Sequence, residues 1–274
     1  MDIIVILGFL AALLIGISLG LIGGGGSILT LPILAYMFGI DAKTATAYSL
    51  FIVGVAALVG GLKMARQGLV EYKTLVIFAI PALISVYFTR AYIVPRIPEH
   101  LFTLSGYEVS ADVGIMLFFA LIMLLASVSM IRGKKPISET HTQIEYNYPM
   151  ILIEGLVVGL VTGIVGAGGG FLIIPALVIL AKLPMKMAVG TSLLIIAVKS
   201  LIGFLGDLGN PQIGQGNGID WAFLVSFTVI ALAGIFIGTY LSKFISGDKL
   251  KKGFGWFVLI MGIYIIFERV SSLM

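Results

Sequence analysis

Long apolar runs alternate with short polar breaks along this chain. Ten apolar stretches stand out. In the first half they are Ile3–Leu21, Ser27–Phe38, Thr44–Leu62, Thr74–Val94 and Val113–Ile131. In the second they are Met150–Val165, Gly170–Ala181, Met187–Leu205, Ile219–Leu241 and Gly253–Phe267. A helix needs about 20 apolar residues to cross a bilayer core of roughly 30 Å. The runs are rich in Leu, Ile, Ala and Gly and lack the alternation of a barrel strand, so helices are predicted and strands are not. Ser27–Phe38 and Gly170–Ala181 are too short, because 12 residues rise only about 18 Å. Each is predicted to join the preceding stretch as a re-entrant hairpin or broken helix with a buried, Gly-rich tip. Irregular backbone is tolerated at that depth only inside protein or beside a watered cavity.

The polar breaks are Lys63–Lys73, Arg96–Asp112, Arg132–Pro149, Gly206–Asp220 and Lys243–Lys252. The break RGKKPISETHTQIEYNYP (Arg132–Pro149) is the longest fully polar one and lies at mid-chain. The chain therefore divides into a first membrane repeat at 1–131, a cytoplasmic linker at 132–149 and a second membrane repeat at 150–274, forming one transmembrane unit. Internal similarity supports this division. Shifting the chain by 143 residues aligns 16–52 on 159–195 without a gap, with 13 of 37 positions identical. Among them are Gly16/Gly159, Gly20/Gly163, Gly23/Gly166, Gly25/Gly168, Gly26/Gly169, Pro32/Pro175, Lys43/Lys186 and Ser49/Ser192. Shared leucines would mean little in so apolar a chain. Five glycines and a proline in register mean more.

Loop charge gives an orientation. Lys63, Arg66, Lys73, Arg132, Lys134, Lys135, Lys182, Lys186, Lys243, Lys249, Lys251 and Lys252 fall on one side, against Lys43, Arg90, Arg96 and Arg269 on the other. The richer side is expected to be cytoplasmic, with both termini outside. Each half then crosses an odd number of times, and the repeats are inverted. This architecture is common in secondary transporters, with a substrate site where the repeats meet.

Composition narrows the class. The chain is 59% hydrophobic and 11% charged, with mean hydropathy +1.15. A soluble domain carries about 25% charged residues. That balance excludes a soluble enzyme, a nucleic-acid binder and a disordered regulator. The net charge of +4 belongs to scattered loop residues rather than a basic patch. There is no Cys, so no disulfide framework or thiolate metal site exists. His100 and His141 lie in polar connections, which argues against haem or a membrane metalloprotease, and no cofactor is implied. The opening MDIIVILGFL has no basic n-region and reads as a retained membrane segment.

The strongest chemical signal is the pair GLIGGGGSILTLP (Gly20–Pro32) and GIVGAGGGFLIIP (Gly163–Pro175). A Gly-rich tip leading into a helix presents free N–H groups and the positive end of the helix dipole. That combination binds anions without side-chain charge. Gly24, Gly25, Gly26 and Ser27 in the first tip, and Gly168, Gly169 and Gly170 in the second, are the candidate substrate-binding residues. The alternative is that these glycines only let helices pack closely. Lys199 lies inside an apolar stretch, where an ammonium costs at least about 2.5–3.5 kcal/mol. It balances an anionic substrate, pairs with Glu154 or Asp207, or snorkels to the interface. Ser49, Thr191 and Ser192 are candidate hydroxyl donors, unless they bond back to their own backbone. Glu154 is a candidate proton carrier. Asp207 and Asp220 read as surface charges with turn residues. No catalytic constellation is present in the sequence.

The segments GLIGGGGSILTLPIL, ATAYSLFIVGVAALVGG, GLVTGIVGAGGGFLIIPALV and AVGTSLLIIAVKSLIG resemble the TauE/SafE sulfite-exporter permeases, over about residues 8 to 265. The first copy of the G-x-G-G-G pattern departs at its last Gly, where Ser27 stands. The second, Gly166 to Gly170, fits fully. The resemblance implies a polytopic inner-membrane permease for small sulfur-containing anions such as sulfite, thiosulfate or organosulfonates. It implies movement driven by an ion gradient, with H+ a candidate coupling ion. Two rivals stand beside this reading: a passive anion channel, and a membrane enzyme or accessory assembly factor.

Overall fold

The apolar runs become ten α-helices in the computed structural model, which describes residues 3–24, 26–104, 107–132, 148–179, 181, 183–214, 218–242, 244 and 247–271. They are α1 (Ile3–Ile22), α2 (Ser27–Phe38), α3 (Ala42–Arg66), α4 (Tyr72–Phe88) and α5 (Ala111–Arg132) in the first half. In the second they are α6 (Tyr148–Val165), α7 (Gly170–Ile179), α8 (Met185–Leu205), α9 (Trp221–Leu241) and α10 (Gly247–Ser271). Each expected stretch is helical, with bounds shifted by a few residues. Helix α4 continues through a π-helical turn, Thr89–Ile93, and a 3-10 turn, Val94–Arg96. The linker residues 133–147 lie outside the described residues.

One element departs from the sequence reading. The break between α4 and α5 folds into an antiparallel hairpin of β1 (His100–Leu104) and β2 (Tyr107–Ser110), with Phe102 opposite Val109 and Leu104 opposite Tyr107. Its aromatic and β-branched residues flank a Ser-Gly dipeptide, a turn signal that the helix-scale periodicity passed over.

Among the described residues, α1, α3, α4 with its two following turns, α5, α8 and α9 are long and apolar enough to cross a membrane. The distribution of polarity fits lipid outside and polar groups within. Ile84, Leu125, Ile153, Ile260 and Phe267 are exposed, whereas Thr30, Ser49, Arg90, Thr162 and Lys199 are completely buried. The chain is thus an all-α polytopic membrane protein with one short β-hairpin.

The two halves are intertwined. The main packing pairs are α1 with α9, α4 with α6, α3 with α8 and α5 with α10, each joining one half to the other. Exchanging the halves maps the first pair onto the second and each of the last two onto itself. Small residues set the closest approaches, as expected where lipid removes the hydrophobic drive between helices. A methyl group on Gly16 would stand 1.9 Å from the Ala231 carbonyl oxygen, and one on Gly238 2.2 Å from that of Ile17. In the equivalent pair, one on Gly159 would stand 2.6 Å from the Ala82 carbonyl oxygen.

Hydrogen bonds sort the connections onto two ends. At the end where α1 begins, here the top, the Lys43 ammonium donates to the Ile97 carbonyl (2.8 Å) and Gln212 Oε1 (3.1 Å). There too the Gly214 N–H donates to Thr44 Oγ1 (2.9 Å), the Asp220 N–H to Tyr48 Oη (2.7 Å), and Tyr36 Oη to Glu268 (2.9 Å). At the bottom the Glu71 N–H donates to Thr191 Oγ1 (2.9 Å) and the Lys63 ammonium to Thr239 Oγ1 (2.6 Å). Helix α2 therefore returns to the top, where α3 starts, and α7 returns to the bottom, where α8 starts. The two hairpins enter from opposite ends.

Candidate anion-binding site

The tips are built alike. Gly23 (φ +78°) and Gly166 (φ +68°) occupy equivalent positions and adopt the left-handed conformation that a Cβ disfavours. Their N–H groups close α1 and α6 onto Leu19 O (2.8 Å) and Thr162 O (2.9 Å). Each tip touches the start of the other half's central helix. A methyl group on Gly23 would meet Val189 on α8, and one on Gly166 would meet Thr46 on α3, both at 2.4 Å. Val189 and Thr46 are themselves equivalent under the 143-residue shift.

Beyond these turns the hairpins cross. A methyl group on Gly24 would stand 2.4 Å from Gly170 Cα, and one on Gly170 2.2 Å from Gly24 Cα. One on Gly168 would reach Val53, Ile196 and, at 3.2 Å, Ser27 Cβ. The first turns of α2 and α7 are thereby brought side by side, and Gly23, Gly24, Gly26, Ser27, Gly166, Gly168, Gly169 and Gly170 are all buried. Gly25 lies outside the described residues.

Ser27 Oγ donates to the Gly24 carbonyl (2.7 Å) and Gly26 caps α2 without a side-chain bond. The amides of Ser27, Ile28, Gly169 and Gly170 have no acceptor among the described residues. A buried, unpaired donor costs about 1–3 kcal/mol. Helix N-termini with free N–H groups can bind anions without side-chain charge.

Lys199 brings a basic side chain there. It is completely buried on α8, and its Nζ lies 3.0 Å from where a methyl group on Gly169 would sit. Its hydrogen-bond partner is Thr162 Oγ1 on α6, at 2.5 Å. No carboxylate among the described residues lies in ion-pair range of it, so pairing with Glu154 or Asp207 does not occur. Thr162 was missed on sequence. The signal was available, because the equivalent residues of Thr162 and Lys199 in the first half are Leu19 and Ala56. One copy carries a polar pair where the other carries an apolar one.

The remaining candidates divide. Ser192 Oγ lies at the first tip, where its one proton can go to the Gly23 (3.1 Å) or the Val189 (2.9 Å) carbonyl. Ser49 is completely buried on α3 with its hydroxyl unpartnered. Thr191 Oγ1 instead accepts the Glu71 N–H at the bottom. Glu154 is half-buried on α6, twelve residues before Gly166, and its Oε2 has no partner.

Two charges were misplaced on sequence. Asp207, expected at the surface, is buried, and Arg90, counted among loop charges, is completely buried. They pair: Arg90 Nε donates to Asp207 Oδ2 at 2.7 Å, and a second guanidinium nitrogen lies 2.5 Å from the same oxygen. Arg90 Nη1 also donates to Thr46 Oγ1 (2.9 Å) and to the Gly163 carbonyl (3.1 Å). The physical reason is mutual neutralisation, which lets both charges leave water. Asp220 does behave as expected, exposed and capping α9 through the Phe223 N–H (3.0 Å). Removing Arg90 from the loop count leaves the charge asymmetry between the two ends in place.

Six helices long and apolar enough to cross a membrane, among the described residues, make this a polytopic membrane protein. The chain belongs to the sulfite exporter TauE/SafE family, whose model matches residues 8–265. It is similar to a probable membrane transporter protein of Xylella fastidiosa (strain 9a5c), at 30% identity over 95% of this chain and 94% of that one. It is also similar to the probable membrane transporter protein YdhB of Bacillus subtilis (strain 168), at 26% identity over 94% and 98%. A probable membrane transporter protein of Haemophilus influenzae (strain ATCC 51907 / DSM 11121 / KW20 / Rd) is 23% identical over 94% and 97%. No solved structure matches.

Proposed function

We propose that this protein is a secondary transporter that carries a small sulfur-containing anion, such as sulfite, thiosulfate or an organosulfonate, across the cytoplasmic membrane by alternating access. The observation that carries the reading is the crossing of the α2 and α7 N-termini, with the buried Lys199 side chain beside them. The anion sits beside the crossing of the tips, held by the amides of Ser27, Ile28, Gly169 and Gly170. Lys199 supplies positive potential, and Ser49 and Ser192 supply hydroxyls. The family name supports a sulfur oxyanion.

The two halves act as inverted copies that rock against one another around this site. Entry of the hairpins from opposite ends and exchange of the packing pairs between halves support that geometry. The bottom, with its excess of Lys and Arg, faces the cytoplasm. Burial of Ser27 and of the described tip glycines favours an occluded carrier over an open channel.

Proteoliposomes tested with labelled sulfite, thiosulfate and an organosulfonate decide the matter. Accumulation of one of them against its own gradient, under an imposed proton gradient, is the expected result. Flux that only runs downhill would establish the channel, and absence of flux for the whole panel would overturn the substrate class.

A further inference from the structure

The Arg90–Asp207 pair is buried and links the first half to the second. It joins elements that the rocking motion must separate. Arg90 stands in the π-helical turn after α4, in the first half, and Asp207 follows α8, in the second. π-Helical turns inside α-helices recur at functional sites. Arg90 also reaches the second tip. Its Nη1 holds the Gly163 carbonyl, three residues before Gly166, and Thr46, whose backbone lies directly against Gly166. The pair is incompletely satisfied. Both close contacts fall on Asp207 Oδ2, while Oδ1 is buried with no partner.

We propose that Asp207 is the proton-coupling carboxylate of the transport cycle and that Arg90 is the group it controls, which rests on the anion-transport reading above. A proton from the top adds to Oδ1 and converts the carboxylate to the neutral acid. No other bond forms or breaks, and Arg90 keeps its charge. The guanidinium loses its counter-ion and turns to the anion at the neighbouring tip. Deprotonation returns Arg90 to Asp207 and expels the anion. Proton and anion thus bind together or leave together, a reciprocal coupling of the two sites.

Arg90 is the charged side chain in contact with Asp207. Around Arg90 stand Thr46 from α3 and the Gly163 carbonyl from α6, with Thr89 beside Gly163. Helix α8 itself contributes Lys199, eight residues earlier, with its ammonium on Thr162. Glu154 lies further down α6.

The test counts protons. Thiosulfate is fully ionised near neutral pH, so any proton taken up on binding belongs to the protein. Its binding to the purified full-length protein is measured calorimetrically in two buffers of different ionisation enthalpy. Wild type is expected to take up about one proton per thiosulfate and Asp207→Asn none. A buried pair stripped of one partner can fail to fold, so the double variant Arg90→Gln/Asp207→Asn, which removes both charges, is measured alongside. It is expected to bind thiosulfate more weakly with no proton uptake. Wild-type binding without proton uptake, or uptake that persists in either variant, overturns the coupling role and leaves the transport reading standing. Absence of thiosulfate binding by wild type instead counts against the anion reading, and the coupling falls with it.

Discussion

Gly24 lies against Gly170, backbone on backbone, so that a methyl group on either would fall within 2.4 Å of the other's Cα. The two residues are far apart in sequence and belong to different halves. No side chain larger than hydrogen fits between them, and this contact sets how close the two helix N-termini come.

Gly24→Ala and Gly170→Ala are therefore each expected to push the tips apart and lower anion flux about tenfold or more, because open amides lose their shared focus. Gly209→Ala is the control, since it has open space around it. Flux in proteoliposomes, normalised to protein inserted, checks this. Equal flux for all three variants would remove the crossing from the mechanism.

Lys199→Met is expected to weaken anion binding by about tenfold or more, the scale of one lost charged hydrogen bond. Thr162→Val is expected to have a smaller effect, because it removes the partner of Lys199 and leaves the charge. Binding isotherms on both variants distinguish these outcomes. A change in folding yield alone, with affinity untouched, would make Lys199 structural.

Orientation is testable because the chain contains no Cys. Gly209→Cys at the top is expected to react with a membrane-impermeant maleimide in intact cells. Gln67→Cys at the bottom is expected to react only after the cells are broken. The reverse pattern would place the Lys- and Arg-rich end outside.

The α1–α9 seam is a packing feature. Gly234→Leu would drive a side chain into the Leu13 carbonyl, 2.2 Å from where its Cβ would sit. Overpacking of this kind costs about 1–3 kcal/mol. Thermal melting in detergent is expected to fall for Gly234→Leu and to stay unchanged for Gly253→Ala, which has nothing within 4 Å.

Much of this was readable from residue order alone. The ten helices follow from apolar run length. The two short ones, α2 and α7, were marked as hairpin arms by that same measure. The 143-residue repeat located both tips. What could not be read were contacts made across the fold. Arg90 sat in an apolar run yet looked like a loop charge, because its partner Asp207 is 117 residues away. Thr191 and Ser192 are neighbours in sequence, but the helix turns them apart, one to Glu71 and the other to Gly23. The β-hairpin was lost because its four- and five-residue strands lie inside a polar break.

The central claim is that main-chain amides from two crossed tips hold one anion. Crystals grown with selenite, the heavier analogue of sulfite, locate that anion directly by anomalous diffraction at the selenium edge. The account predicts one buried selenium peak within hydrogen-bonding distance of amides from both the α2 and the α7 first turns, beside Lys199. Selenium bound to only one tip, or only at the protein surface, would contradict it.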